Sequence, residues 1–288
     1  MQVDKRSPRE ALEAEREFAL LMEKVRGGGK EFEPIPGTRK EVEAIAGTFR
    51  ESGIEVDMLL GRVAREEKLR ELLKSGELSK YRYLHFATHG VPSADRAFDS
   101  ALILSQDNLP DPLEAVLKGE EAVDGKLTAA EILRTWKLEA DLVVLSACQT
   151  ALGRHAGGEG HLGFSQALLL SGARSVVLSL WKVDDRPTAL LMTRFYENLL
   201  GKRSGLRGPL PKSEALAEAQ SWLRELKRSD LDHLLERPPE DARGAERPLK
   251  GSAPKGKPKR EPEKKPDEER PYADPYFWAT FILVGDYE

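Results

Sequence analysis

The sequence predicts an α/β fold built on a mostly parallel central sheet with helices on both faces, and three observations support this. Tyr83 to Thr88, Leu142 to Ala147 and Ser175 to Leu180 are short, largely apolar runs that do not alternate with polar residues. Strands that read this way are covered on both faces, as parallel strands are. Segments of helical period separate them, giving the β-α-β rhythm of a parallel sheet. Finally, two of the runs end abruptly in small and reactive residues, His89-Gly90 and Cys148-Gln149-Thr150. Ligands of open α/β sheets bind beyond the carboxyl ends of the strands, so His89 and Cys148 are expected on one rim.

The elements follow in order. Residues 8–26 place Leu12, Phe18, Leu21, Met22 and Val25 at an approximate helical period, with Ser7-Pro8 as a start signal and Gly27-Gly28-Gly29 as a stop. Residues 1–30 are therefore expected to form a helix that packs on the domain or docks elsewhere, and residues 31–288 a single domain. Thr38 and Glu41 stand at capping-box spacing ahead of a helix whose buried stripe is Val42, Ile45, Ala46 and Phe49. Ile54 to Leu60 reads as a strand and Glu66 to Leu73 as a helix. Ala101 to Leu104 reads as a strand or hairpin at the sheet edge, and the acidic, proline-containing stretch after it as an insertion near the site. Thr128 and Glu131 repeat the capping-box spacing at the head of a short helix.

A glycine-rich loop spans residues 153–163, and helices are expected at 162–170, 187–200 and 213–227. Residues 237–271 are rich in Pro, Lys, Glu, Arg and Gly with almost nothing apolar. Such a stretch cannot bury enough surface to offset its ordering entropy, and a disordered insertion is expected. Tyr276 to Val284 is too apolar for a tail and reads as a strand returning to the sheet.

Composition bounds the function. The chain of 288 residues is 40% hydrophobic and 33% charged, with a net charge of −4 and one cysteine. It lacks the basic excess that phosphate neutralisation requires, so nucleic acid is not expected as a direct partner. A lone cysteine rules out an internal disulfide framework and favours a reducing compartment. The first residues lack the apolar core of a signal peptide, and no run approaches the roughly 18 apolar residues of a membrane span. A cytoplasmic protein with no membrane contact is expected.

Cys148 read alone is a small buried hydrophobe, as free cysteines usually are. The polar turn after it and the matching His-Gly at another strand end favour a nucleophile. His89 precedes Cys148 by roughly 60 residues, an order and distance that suit a caspase-type pair. An imidazole that takes the thiol proton generates the thiolate, and the backbone N–H groups of Gly90 and Cys148 would face the oxyanion. His85, two pleats deeper in the same strand, reads as a core histidine with a satisfied hydrogen bond. His155 and His161 flank the glycine-rich loop without fixed geometry, and Glu159 reads as solvated or loop-orienting. Gly158, Gly160 and Gly163 match a dinucleotide fingerprint, but that motif should follow its strand directly and this one does not. No zinc-ligand spacing is present, and no metal is assigned.

Several of these segments together resemble the CHAT domains of the caspase and separase clan. They are Pro36-Gly37-Thr38 with its helix, Ala87-Thr88-His89-Gly90, Leu145 to Thr150, Gly157-Gly158-Glu159-Gly160, Gly172 to Val177, Leu180 to Asp185, and Pro275 to Ala279. The resemblance implies a caspase-like three-layer sandwich and a cysteine endopeptidase with a His89–Cys148 dyad. It also allows for family members that serve as binding or regulatory modules activated by a partner. The segment holding Trp181, Asp184 and Asp185 matches the loop that shapes the primary specificity pocket in such enzymes. An acid there would favour Arg, and less strongly Lys, in a protein or peptide substrate. Either Asp184 or Asp185 fills that role, and a helix cap ahead of Pro187 is the competing reading for both. No cofactor is required, although the acids between Asp95 and Asp124 leave calcium dependence open. Exposed Lys and Arg in residues 237–271 add self-cleavage to the expectations.

Overall fold

The structure, a computed structural model, describes residues 32–93, 95–111, 123–147, 163–181, 184–236 and 269–288. The expected N-terminal helix, the glycine-rich loop and nearly all of the expected disordered insertion lie outside these residues.

In chain order the helices are α1 (Pro36–Glu51), α2 (Glu66–Lys74), α3 (Ala129–Thr135), α4 (Phe164–Leu170), α5 (Asp185–Leu199), α6 (Lys212–Glu225), α7 (Arg228–Glu236) and the single turn α8 (Pro275–Trp278). The strands are β1 (Tyr83–Val91), β2 (Ala101–Ile103), β3 (Lys126–Thr128), β4 (Leu142–Ala147), β5 (Ser175–Ser179) and β6 (Phe281–Gly285). They form one sheet in the order β3-β2-β1-β4-β5-β6. Its centre is parallel, with β4 between β1 and β5, and both edges are antiparallel.

The apolar runs behave as their lack of alternation requires. Every residue of β4 and β5 is buried. Successive residues of β4 serve opposite faces: Val143 and Leu145 join one core with Ile132, Phe164 and Leu168, while Leu142 and Val144 join another with Phe195 and Leu216. The sheet is thus covered by α3 and α4 on one side and by α1, α5 and α6 on the other, the mixed α/β sandwich that was expected. Arg194 of α5 reaches Glu218 of α6 through two hydrogen bonds of 3.0 and 2.8 Å, a fork that fixes the pairing of these helices.

Three local expectations need correction. The capping box forms at Thr128 and Glu131, but not at Thr38 and Glu41. Helix α1 starts three residues earlier, after Ile35 and with Pro36 in its first turn, and Thr38 Oγ1 donates to the Ile35 carbonyl at 2.7 Å. This frees Glu41 to turn inward, where it is buried. Residues 54–60 carry no regular secondary structure and join no strand ladder among the described residues. Last, the run Tyr276–Val284 is not one strand: Asp274 accepts from the Tyr276 N–H at 2.8 Å, Pro275 opens a helical turn, and β6 begins at Phe281.

At the start of α2, Glu66 accepts from the N–H groups of Asp124 (3.2 Å) and Gly125 (3.1 Å) and pairs with Arg70 at 2.5 Å. Burial pushes its carboxyl up to about 7, with Arg70 pulling the other way. The folded state therefore binds this proton more tightly than the unfolded state. Its stabilising contribution is complete below about pH 4.5 and is lost as the pH rises toward about 7. Urea titrations across that window should show wild-type stability declining with pH relative to Glu66→Gln.

Candidate active site

Strand β1 delivers His89 to the rim through its pairing with β4. The register sets Tyr83 opposite Leu142 and continues to Thr88 opposite Ala147, the last described residue of β4. His89 is the next residue along, and there β1 changes partner: His89 pairs with Ile103 and Gly90 with Leu102 of β2. The Thr88 hydroxyl donates to the Ile103 carbonyl and ties the two ladders together.

The imidazole of His89 is held from one side. Its Nε2 lies 2.7 Å from the carbonyl oxygen of Glu33, and the Phe32 ring packs against it with centroids 5.4 Å apart. A carbonyl only accepts, so Nε2 carries the proton and donates it. This leaves Nδ1 with its lone pair, the tautomer a general base needs. The sequence reading missed Glu33 and Phe32. A backbone acceptor leaves no mark in the residue types, and the closest hint was the Pro34-Ile35-Pro36 stretch that fixes the chain's entry to α1.

Below the rim, His85 Nε2 lies 3.0 Å from Glu41 Oε1 and its Nδ1 3.2 Å from Tyr196 Oη. A carboxylate at Nε2 and a hydroxyl at Nδ1 satisfy one neutral tautomer, with Nε2–H donating to Glu41 and Tyr196 donating to Nδ1. Tyr196 is fully buried, and burial first, then the Glu41 charge, holds its phenol well above the usual range. The chain Tyr196–His85–Glu41 links α5, β1 and α1 beneath His89.

The specificity-loop candidates separate. Asp185, in the first turn of α5, accepts from the Gly37 N–H at 3.1 Å. It thereby caps α1 from another element, where a carboxylate is favoured by the helix dipole. The approach is close: a Cβ on Gly37 would stand 2.1 Å from Asp185 Cβ. Asp185→Ala should lower stability by about 0.5–2 kcal/mol, the usual cost of losing a cap, read by urea unfolding. Asp184 is exposed, and its side chain caps none of the α5 N–H groups. It lies near Tyr272, whose phenol is raised by burial and drawn back by Arg186. Trp181 is pinned by the returning chain: its indole N–H donates to the Tyr276 carbonyl at 2.8 Å, and the two rings stack with centroids 6.4 Å apart.

Cys148 lies outside the described residues, as do His155, Glu159 and His161, so the structure places only the histidine side of the expected dyad. Among the described residues, no three His, Cys, Asp or Glu side chains are arranged to hold a metal ion. No described helix is long and apolar enough to cross a membrane.

The CHAT domain family model matches residues 4–286, nearly the whole chain. The chain belongs to the CHAT domain family. The general context of that family is the caspase-like clan of cysteine peptidases, in keeping with the mixed sandwich and with a histidine near the end of a central strand. The chain is also 27% identical over 183 residues to human (Homo sapiens) tetratricopeptide repeat protein 28, a match that takes in 57% of this chain and 7% of that protein. A CHAT domain of this length thus corresponds to a small part of that much longer relative.

Proposed function

We propose that this CHAT domain is a cysteine endopeptidase in which Cys148 is the nucleophile and His89 the general base. The observation that carries the reading is the Glu33 carbonyl on His89 Nε2, which leaves Nδ1 as the proton acceptor. Cys148 follows Ala147 by one peptide bond, and Ala147 sits opposite Thr88 on the neighbouring strand. Adjacent strands lie about 4.8 Å apart, which supports a nucleophile that follows β4 within reach of His89.

The chemistry then runs in two halves. Nδ1 of His89 takes the thiol proton, and the thiolate forms a bond to the scissile carbonyl carbon. The oxyanion is held by the N–H groups of Gly90 and Cys148. As the C–N bond breaks, His89 returns the proton to the leaving amine. Water, deprotonated by His89, then attacks the thioester and releases the new carboxyl group and the thiol.

A basic residue before the scissile bond fits the loop after β5. With Asp185 committed to Gly37, Asp184 is the carboxylate left to pair with an Arg or Lys side chain, and Trp181 and Tyr276 supply a flat apolar wall beside it. The similarity to a tetratricopeptide repeat protein supports a site regulated by a protein partner, because stacked helical repeats present extended surfaces for protein binding. The test is turnover of fluorogenic peptides ending in Arg, Lys, Asp or Leu. Cleavage after Arg by the wild type and none by Cys148→Ala is expected. Turnover that persists in Cys148→Ala would remove the assignment.

A further inference from the structure

Helix α1 is anchored to two parts of the site at once. Its N-cap is Ile35, whose side chain has no oxygen to accept from the first turn. The acceptor comes from α5 instead: the Gly37 N–H donates to Asp185 Oδ2 at 3.1 Å. Four residues before Gly37, the chain sets the Glu33 carbonyl 2.7 Å from His89 Nε2. Four residues after it, Glu41 Oε1 lies 3.0 Å from Nε2 of His85, in the same strand as His89.

The connection from Gly37 back to Glu33 is stiff. It reads Glu33-Pro34-Ile35-Pro36-Gly37. Each proline holds its own φ at about −65° and biases the residue before it away from the helical region. Residues 33–36 therefore move as one short arm, and a shift of Gly37 is carried to the Glu33 carbonyl. The seat of Gly37 is close. A Cβ there would stand 2.1 Å from Asp185 Cβ, so the approach demands glycine although the backbone at 37 is not left-handed.

We propose that Asp185 is a positioning residue for His89: by accepting from Gly37 it seats the first turn of α1, and the Glu33–Pro36 arm then holds the Glu33 carbonyl on Nε2. The mechanical link stands on the contacts above, and only its catalytic use rests on the peptidase reading. The Glu41–His85 contact does not replace it, because it fixes α1 a full turn further on and leaves the arm free to swing about the first turn. Asp185 thus reaches back to the base, while its exposed neighbour Asp184 faces outward.

The experiment is nuclear magnetic resonance of the full-length chain carrying isotopically labelled histidine, with His89 assigned by the signals lost in His89→Gln. The wild type should show His89 protonated at Nε2, with a proton signal observable at neutral pH. In Asp185→Ala that signal should broaden or vanish. Asp185→Asn, whose amide oxygen still accepts from Gly37, should restore it. Gly37→Ala is the sharper case: alanine raises helix propensity, yet its Cβ displaces Asp185, and the signal should be lost as in Asp185→Ala. Ile132→Val, a destabilising core change on the opposite face of the sheet, should leave the signal as in the wild type. A signal kept in Asp185→Ala, lost in Asp185→Asn, or lost equally in Ile132→Val would overturn the proposal. So would a wild-type His89 protonated at Nδ1.

Turnover tests the catalytic use of the link. In Asp185→Ala kcat should fall by about tenfold or more, as a misplaced catalytic group costs, with Asp185→Asn within about twofold of wild type. Equal kcat in Asp185→Ala and wild type beside a lost Nε2–H signal, or no turnover by any of the proteins, would count against the peptidase reading and leave the link supported by the imidazole signals.

Discussion

Replacing His89 by Gln is expected to lower peptide turnover by about 10²–10⁴-fold, the contribution of a positioned general base. Under the proposed mechanism the side chain at 89 has two tasks that a Gln cannot share out. It must donate to the Glu33 carbonyl, which an amide N–H can do, and it must present a basic lone pair toward the nucleophile, which an amide cannot. The fold should survive, because among the described residues the ring makes one backbone hydrogen bond and one aromatic contact. Turnover and urea unfolding measured on the same preparation separate the two effects. By contrast, Glu33→Ala should leave turnover near wild type, since only the carbonyl of Glu33 is used. A fall as large as that of His89→Gln would show that the side chain matters and the backbone account is wrong.

The second large effect is on stability. Replacing His85 by Leu is expected to cost about 3–5 kcal/mol, because it leaves the Glu41 carboxylate buried without its donor and Tyr196 Oη without its acceptor. The Glu41 side chain is only 2% exposed, so water cannot make good the loss. Glu41→Gln retains an acceptor for His85 Nε2–H and should cost less. The double variant His85→Leu with Glu41→Leu should be less destabilised than the sum of the two single changes, because their partners are shared. Urea unfolding of the four proteins at one pH gives this coupling directly. A single variant His85→Leu within about 0.5 kcal/mol of wild type would mean the network is not formed as described.

Much of the fold was legible because burial on both faces writes itself into sequence. The runs 142–147 and 175–180 carry no alternation, and they hold the fully buried strands β4 and β5, the latter ending one residue early at Ser179. Thr128 and Glu131 announced their helix, and the structure has both halves of the capping box. The same spacing misled at Thr38 and Glu41. A capping box and a buried acid with a distant histidine partner use the same residue type, and only the fold brings His85 to Glu41. Similarly, Tyr276 to Val284 had the apolar content of a strand, but the Asp274-Pro275 start signal converts its first third into a turn.

The site was legible in part. His89 stood out because a His-Gly ended an apolar run, and the structure sets it in β1 one residue past the pairing with β4. Its orienting partner was invisible, since a carbonyl belongs to every residue. Asp184 and Asp185 were indistinguishable as neighbours in sequence. Only the approach of Gly37, far away in the chain and without a Cβ to keep Asp185 at a distance, separates a capping carboxylate from an exposed one.

The most direct test of the central claim is intact-mass analysis after exposure to a peptidyl electrophile ending in Arg. The account predicts a single adduct on Cys148 in the wild type at neutral pH, and labelling slowed by at least tenfold in His89→Gln. Equal labelling rates in the two proteins, or no adduct on Cys148 with any peptidyl electrophile, would contradict a histidine-activated thiol.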